Sequence, residues 1–433
     1  MADARCVTRL VLSNLNPARI DPRELVNRER DAEWLRDNLV AYLGSEDPCL
    51  GGAFCILGEK GIGKSILAHS VIDELRQVHT GTTVFISVDC RPLRNQRDVY
   101  REAATILVDE LTRRSDIAEP LRAAARAFDN LTRFDEVKLG HAHELLLQHR
   151  VGLNLGGGSS LFKWLEAKLD IVISRSKKII ESLQGTVVID GPRLREAFVQ
   201  LLADVERHAK LRVVLHLDNM EELDHEAMRD PVARERVRGE IEALLHLAEG
   251  PIALVLTMRT YYSSVLTRRI SKRRALGRLN PDELEQIFMR RVERESPTVQ
   301  ADLDVPEVRR TITELTKLAR TPLAFLTWAE YLLEEGLWEQ SDLAKALLER
   351  LATHYSTIAR HIPKVAALFA DADSLVELDT VRQACDGNDP LIRQLLDHQV
   401  LLPINYWDPR EFFLDPELGF LIGRADLVHA SMP

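Results

Sequence analysis

The segment Gly58-Glu-Lys-Gly-Ile-Gly63-Lys64-Ser65 satisfies the spacing G-x-x-x-x-G-K-[ST] at every defined position. Gly58, Gly61 and Gly63 let the chain turn so that successive backbone N–H groups point inward, the arrangement that cradles phosphates. Lys64 is then placed to reach the β- and γ-phosphates of ATP, and the Ser65 hydroxyl to hold Mg2+. A helix starting here adds the positive end of its dipole. The metal needs a second oxygen ligand at the end of a buried strand. The run Arg212-Val-Val-Leu-His-Leu-Asp218 supplies one, with Asp218 binding Mg2+ directly or through water. The next residue is Asn219 and not an acid, while Glu221 and Glu222 follow within one turn. Two readings stand side by side: one of these glutamates polarises the attacking water, or no strong base exists and hydrolysis is slow. A second strand ends in polar groups at Thr257-Met-Arg259, where a side chain can contact the γ-phosphate or its water.

These groups converge only if their strands lie parallel with their carboxyl ends on one edge, so the pattern around them must be α/β. The order of elements agrees. Trp34, Leu35, Leu39 and Leu43 give Glu29–Leu43 an amphipathic helical spacing. Ala53–Leu57 reads as a buried strand, Ser65–Val78 as a helix, Thr82–Val88 as a second strand and Asp98–Leu111 as a helix. Residues 115–190 interrupt this order and read as an insertion containing the glycine run Gly156–Ser160. A helix at Arg193–His208 and strands at Arg212–Leu217 and Ile252–Thr257 resume it. The predicted organisation is an arm over residues 1–25, a P-loop α/β domain over 26–280 with a central parallel sheet, a helical lid over 281–360 and a winged helix over 361–433. In the last segment three short helices (Pro363–Ala370, Leu378–Cys385, Pro390–His398) precede two strands (Val400–Ile404, Glu411–Leu414), with Arg393, Gln394 and His398 on the third helix.

Composition narrows the function classes. The chain has 433 residues, 45% hydrophobic and 29% charged, which suits several folded domains and not general disorder. No stretch approaches the roughly twenty apolar residues of a membrane span. The net charge of -10 argues against a generic nucleic-acid-coating protein. Five scattered cysteines without a CxxC pair fit reduced thiols and a cytoplasmic location. His141, His143, Glu144 and His149 resemble metal ligands by type, but helical positions two apart diverge and no second cluster completes a site, so they do not read as a metal centre.

In order, Gly58–Ser65, HLDN at 216–219, LTMR at 256–259 and Arg320-Thr-Pro322-Leu-Ala324 resemble the motifs of the STAND class of P-loop ATPases and of the neighbouring origin-recognition branch of AAA+ ATPases. The likeness spans about residues 20–430 outside the insertion, and Arg320 stands where the STAND lid motif has glycine. It implies that Pro322 packs near the adenine, that Arg259 senses the γ-phosphate, and that Val26-Asn27-Arg28-Glu29 lies near the adenine, with Asn27 and Arg28 as nucleotide contacts. It also implies an ATP-binding and ATP-hydrolysing switch that assembles with itself or with a separate partner protein, in a bacterial defence or signalling setting. The alternative is an origin-recognition-like DNA-binding ATPase, a loader or remodeller for replication or transposition. A third reading, favoured by Asn219, is a nucleotide-binding scaffold with negligible turnover.

The tract from Arg259 to Pro281 carries Arg268, Arg269, Lys272, Arg273, Arg274 and Arg278, with no acid before Asp282. One reading makes Arg268 or Arg269 an arginine finger for a neighbouring subunit's γ-phosphate. Another makes the tract a DNA phosphate contact, and the plainest makes it a solvated basic loop paired with acidic surface.

Overall fold

The computed structural model describes residues 25–45, 47, 51–133, 136–138, 186–188, 191–223, 231–260, 262, 270, 272–337, 343–355, 358–371, 374–405 and 409–424. Residues 1–24 of the expected arm, His141 to Gly156–Ser160 within the expected insertion, and the finger candidates Arg268 and Arg269 lie outside the described residues.

Five parallel strands make the central sheet: β1 (Gly52–Gly58), β2 (Thr83–Asp89), β5 (Arg212–Asp218), β6 (Ala253–Arg259) and β7 (Lys272–Ala275), in the spatial order β2-β5-β6-β1-β7. A separate antiparallel pair joins β3 (Glu136–Lys138) to β4 (Thr186–Val188). Side chains alternate between the faces, as the pleat requires. On β1 and β6, Phe54, Ile56, Ala253 and Val255 enter a core with Leu35 and Leu39 of α1 (Glu29–Leu43) and Leu67 and Val71 of α2 (Lys64–Val78). Their neighbours Cys55, Leu57, Leu254 and Leu256 enter the opposite core. That second core is closed by α3 (Gln96–Arg113), α4 (Glu119–Thr132), α5 (Gly191–Ala209) and α6 (Pro231–Leu245). The result is a three-layer α/β/α arrangement.

Two departures from the sequence reading have physical causes. Leu121, Ala124, Phe128 and Leu131 of α4 are buried in the main core, so this helix belongs to the α/β layers and not to an insertion beginning at 115. The basic tract contains β7, paired in parallel with β1 from Phe54↔Lys272 to Leu57↔Ala275. A charge run hides a strand here because β7 is an edge. Its long cations reach outward: Lys272 lies over the Phe54 ring at 5.3 Å and donates to Asn38, and Arg274 pairs with Asp31 at 2.5 Å. Arg278 forks onto Glu59. The described part of the tract is therefore paired within the chain.

The helices α7 (Pro281–Val292), α8 (Pro297–Leu303), α9 (Pro306–Leu318), α10 (Pro322–Glu334) and α11 (Leu343–His354) follow. Asn280 and Glu283 form a capping box at the start of α7, and Thr321 caps α10 through Ala324 N–H. The C-terminal elements are α12 (Ile362–Ala366), β8 (Val376–Glu377), α13 (Leu378–Ala384), α14 (Asp389–Asp397), β9 (Leu401–Pro403) and β10 (Glu411–Leu414). Their strands form an antiparallel sheet in the order β8-β10-β9, so a two-residue strand adds to the two expected. One continuous apolar core runs from Leu284 through Phe325 and Leu395 to Leu421. Among the described residues no helix is long and apolar enough to cross a membrane, and Cys55, Cys90 and Cys385 are free and buried.

The loop before α2 meets α10 directly. Leu323 N–H donates to the Gly61 carbonyl at 3.3 Å, and Gly61 has φ +73, where a built Cβ would lie 2.2 Å from Leu323 Cβ. Gly61→Ala therefore combines left-handed strain with a clash and should cost about 1–3 kcal/mol of stability. Leu323→Gly in the same chain removes the Cβ that the new methyl meets and should recover part of that loss. Urea unfolding of the single and double variants measures both, and an unchanged midpoint for Gly61→Ala would contradict the contact.

Candidate nucleotide site

The parallel register sets the site. Gly58 ends β1 beside Arg259 of β6, and Asp89 ends β2 beside Asp218 of β5. All these ends open on one edge, with the α2 N-terminus above it. Gly63 caps α2 at φ 101, a conformation glycine adopts without a Cβ penalty.

A cavity of about 450 Å3 lies along this edge. One end carries Lys64, Ser65, Asn219, Glu221, Arg259 and Arg91. The other is apolar, formed by Val26, Leu279, Ile287, Pro322, Leu323 and Leu326, with Arg28 and Arg291 in its wall. A polar, charged end joined to an apolar slot matches a molecule with phosphates at one end and a flat base at the other.

Lys64 is buried, and its ammonium donates to the Gly58 and Glu59 carbonyls at 3.3 and 3.0 Å. Burial draws its pKa below the usual lysine value, against the attraction of Glu221. Ser65 Oγ donates to Asp218 Oδ1 at 2.8 Å. The same oxygen accepts from the Thr257 hydroxyl and, at 3.1 Å, from Asn219 N–H. Ser65 and Asp218 together present hard oxygen donors, the set that suits Mg2+. Thr257 is fully buried and holds the acid in place, so its hydroxyl does not face the cavity as the sequence alone suggested for it.

Glu221 and Glu222 form a short 3-10 turn, Met220–Glu222, after Asn219, whose backbone is left-handed at φ 54. Arg259 binds both glutamates, with Nε 3.3 Å from Glu221 Oε1, and donates to Gln399 Oε1 at 3.1 Å. The two acids differ in setting. Glu221 is 3% exposed, lines the cavity and, among the described residues, has no hydrogen-bond partner for Oε2. Burial raises its pKa above the ordinary value, outweighing Lys64 and Arg259. Glu222 is more open and does not line the cavity.

Arg28 is buried and ties two loops together, donating to the Gly277 carbonyl at 2.6 Å and the Ile62 carbonyl at 3.4 Å. Asn27 is not in the cavity wall; its amide donates to Glu283 of α7, outside the slot. Pro322 lines the apolar end.

Sequence reasoning passed over several groups here. Lys60, an unspecified position of the phosphate loop, has Nζ 2.9 Å from Glu417 and 3.7 Å from the buried Asp415. Burial opposes its charge, but Asp415 and Glu417 outweigh burial and raise its pKa. His216, two residues before Asp218, is fully buried. Burial lowers its pKa to about 4, and Ser87 Oγ lies 2.8 Å from its Nδ1. His69 approaches it edge-on at 4.9 Å between ring centroids. Only its place inside the continuous apolar run of β5, buried from Val213 to Asp218, could have flagged His216 as interior, and no spacing rule points to Lys60.

No protein-family model matches the sequence. Among solved structures the chain is similar to the Aeropyrum pernix ORC2 protein in its ADP form, with a TM-score of 0.46, 14% identity and 96% of each chain covered. It is similar to the Aeropyrum pernix ORC1 protein in complex with DNA, with a TM-score of 0.46, 13% identity and 97% of each chain covered. It is also similar to Cdc6p from Pyrobaculum aerophilum, with a TM-score of 0.39 and 13% identity over 98% of this chain and 97% of that one.

The two glutamates give a discriminating experiment. Glu221→Gln should lower ATP turnover tenfold or more, because a buried carboxylate facing the cavity can orient water. Glu222→Gln should change it by less than about threefold, since this acid braces Arg259 from outside the cavity. Steady-state phosphate release with both variants decides the assignment, and equal rates for all three proteins would remove Glu221 from the reaction.

Proposed function

We propose that this protein is an ATP-controlled conformational switch with slow hydrolysis. The observation that carries the reading is that one cavity is walled by the phosphate loop, the sheet edge and α10, while Lys60 of that loop is ion-paired to the C-terminal segment. Lys64 would neutralise the β/γ-phosphates, Ser65 and Asp218 would hold Mg2+, and Glu221 would orient the attacking water. Bound Mg2+ would supply charge neutralisation between the phosphates. The base would lie between Val26 and Pro322.

The output is mechanical in this reading, since the cavity joins parts of the chain that have separate apolar cores. Arg259 would couple the two halves. It reaches Glu221 and Glu222 on one side and Gln399, just beyond α14, on the other. A charged phosphate arriving beside Arg259 competes with those acids and alters the pull on Gln399. The class resemblances carried by the sequence motifs agree on such a switch and differ on what it drives. In the STAND-like reading the opened chain assembles with itself or a partner protein.

The second reading is an origin-recognition-like engagement of DNA. It is favoured by the exposure of Arg393 and Gln394 on α14, whose Leu391, Ile392 and Leu395 face the core. In that case α14 of the winged-helix segment would meet a groove. Duplex binding with a steep salt dependence would support it, and Arg393→Ala would weaken that binding.

The switch reading has a direct test. Lys60→Ala removes the cation from Asp415 and Glu417 without touching Lys64. Hydrogen exchange should then quicken across residues 401–422, with ATP affinity on calorimetry within a few-fold of the parent. In the unaltered chain, ATP should change exchange over the same residues, and Lys64→Ala should abolish that response together with ATP binding. ATP binding with no exchange response anywhere in 401–422 would leave a nucleotide site without a switch.

A further inference from the structure

Arg91 belongs to no motif, yet it stands at the phosphate end of the cavity with Lys64, Ser65, Asn219 and Glu221. β2 stops at Asp89, the register partner of Asp218, and Cys90 N–H donates to the Asp218 carbonyl at 2.9 Å. The turn that carries Arg91 is therefore pinned to the strand end that carries the metal-holding acid.

The side chain is held as well. Arg91 Nε lies 3.0 and 2.9 Å from the two Asp89 carboxylate oxygens, Nη2 lies 2.6 Å from Oδ2, and Arg91 N–H donates to Oδ1 at 3.2 Å. Asn219 Nδ2 donates to the same Oδ1 at 3.2 Å. Burial works against the charge on Asp89, but the hydrogen bonds from Arg91 and Asn219 outweigh it and hold that carboxyl below its ordinary value. This fork uses Nε and Nη2 and leaves Nη1 with no acceptor among the described residues. A guanidinium fixed on one edge with donors left on the other suits a phosphate oxygen.

We propose that Arg91 contacts the γ-phosphate of bound ATP, with Asp89 as the positioning residue that aims it. The proposal rests on the nucleotide reading given above. The choice of the terminal phosphate follows from the strand order. β2 is the far edge of the sheet from β1, separated from it by β5 and β6, so a group on its end reaches the phosphate most distant from the phosphate-loop strand. Arg259 at the same end is already engaged by Glu221, Glu222 and Gln399. ADP lacks the group Arg91 would touch, so Arg91 separates the triphosphate from the diphosphate.

Calorimetric titration of the full chain with ATPγS and with ADP tests this. Arg91→Ala should weaken ATPγS tenfold or more while ADP changes less than about twofold, the loss of one charge-assisted contact present in only one ligand. Arg91→Lys should fall between, because it keeps the charge and loses the fork. Asp89→Asn should shift the ATPγS-to-ADP ratio in the same direction by a smaller factor, and Asp89→Glu should recover part of it. An unmoved ratio in Arg91→Ala, or an equal loss for both nucleotides, overturns the assignment of Arg91 while leaving the nucleotide site standing. Failure of the unaltered chain to bind either nucleotide overturns the site reading itself.

Discussion

Lys64 has been taken out of water at the mouth of the sheet, where a lone ammonium would be strongly disfavoured. Its neighbours compensate in two ways. The loop bends so that the Gly58 and Glu59 carbonyls face the ammonium, which requires the left-handed turns at Gly61 and Gly63. Glu221 and Asp218 supply opposite charge from the ends of other segments. Those acids are themselves buried and need partners, which brings in Arg259, Ser65 and Thr257. Each desolvated charge thus recruits the next, and an anionic ligand that reaches Lys64 or Arg259 must exchange with partners already in place.

The strand order makes that exchange geometrically feasible. β6 lies between the phosphate-loop strand β1 and the acid strand β5. Thr257 on this middle strand can therefore brace Asp218 from below while Ser65 reaches it from the α2 side. The hydroxyl at 257 is thus more valuable as a fixed prop than as a ligand contact, which explains its complete burial.

The sequence was most informative where chemistry and periodicity coincide. The phosphate loop and the strands ending at Asp218 and Arg259 were legible, because each couples a polar or glycine-rich strand end to an apolar run. β7 was not, since KRRA has no apolar alternation and owes its strand to a free edge of β1 and to Phe54 beneath it. The role of α4 was also hidden. Its apolar stripe is plain, but that it meets α3 and α5 depends on tertiary placement. Lys60 and Arg91 escaped for a related reason: Lys60 pairs with an acid far along the chain, Arg91 is held by an Asp89 that is itself tied to another strand, and no local spacing records Glu417 beside Lys60 or Asn219 beside Asp89.

The arrangement of cores bears on how such a protein could move. Two apolar clusters flank the central sheet, and a third holds the helices from α7 onward together with the C-terminal elements. From the front of the chain this third cluster takes in Val26, which also lines the cavity. The contacts described between the halves are largely polar: Leu323 N–H to Gly61, Lys60 to Glu417, and Arg259 to Gln399. A net hydrogen bond is worth about 0.5–1.5 kcal/mol, whereas each large buried apolar side chain contributes about 1.5–3 kcal/mol. Opening along the polar seam breaks a few contacts of the first kind and few of the second. In the proposed switch, differential binding of two nucleotides by a few kcal/mol would be of the same size as that seam, and so enough to shift a balance between closed and open forms.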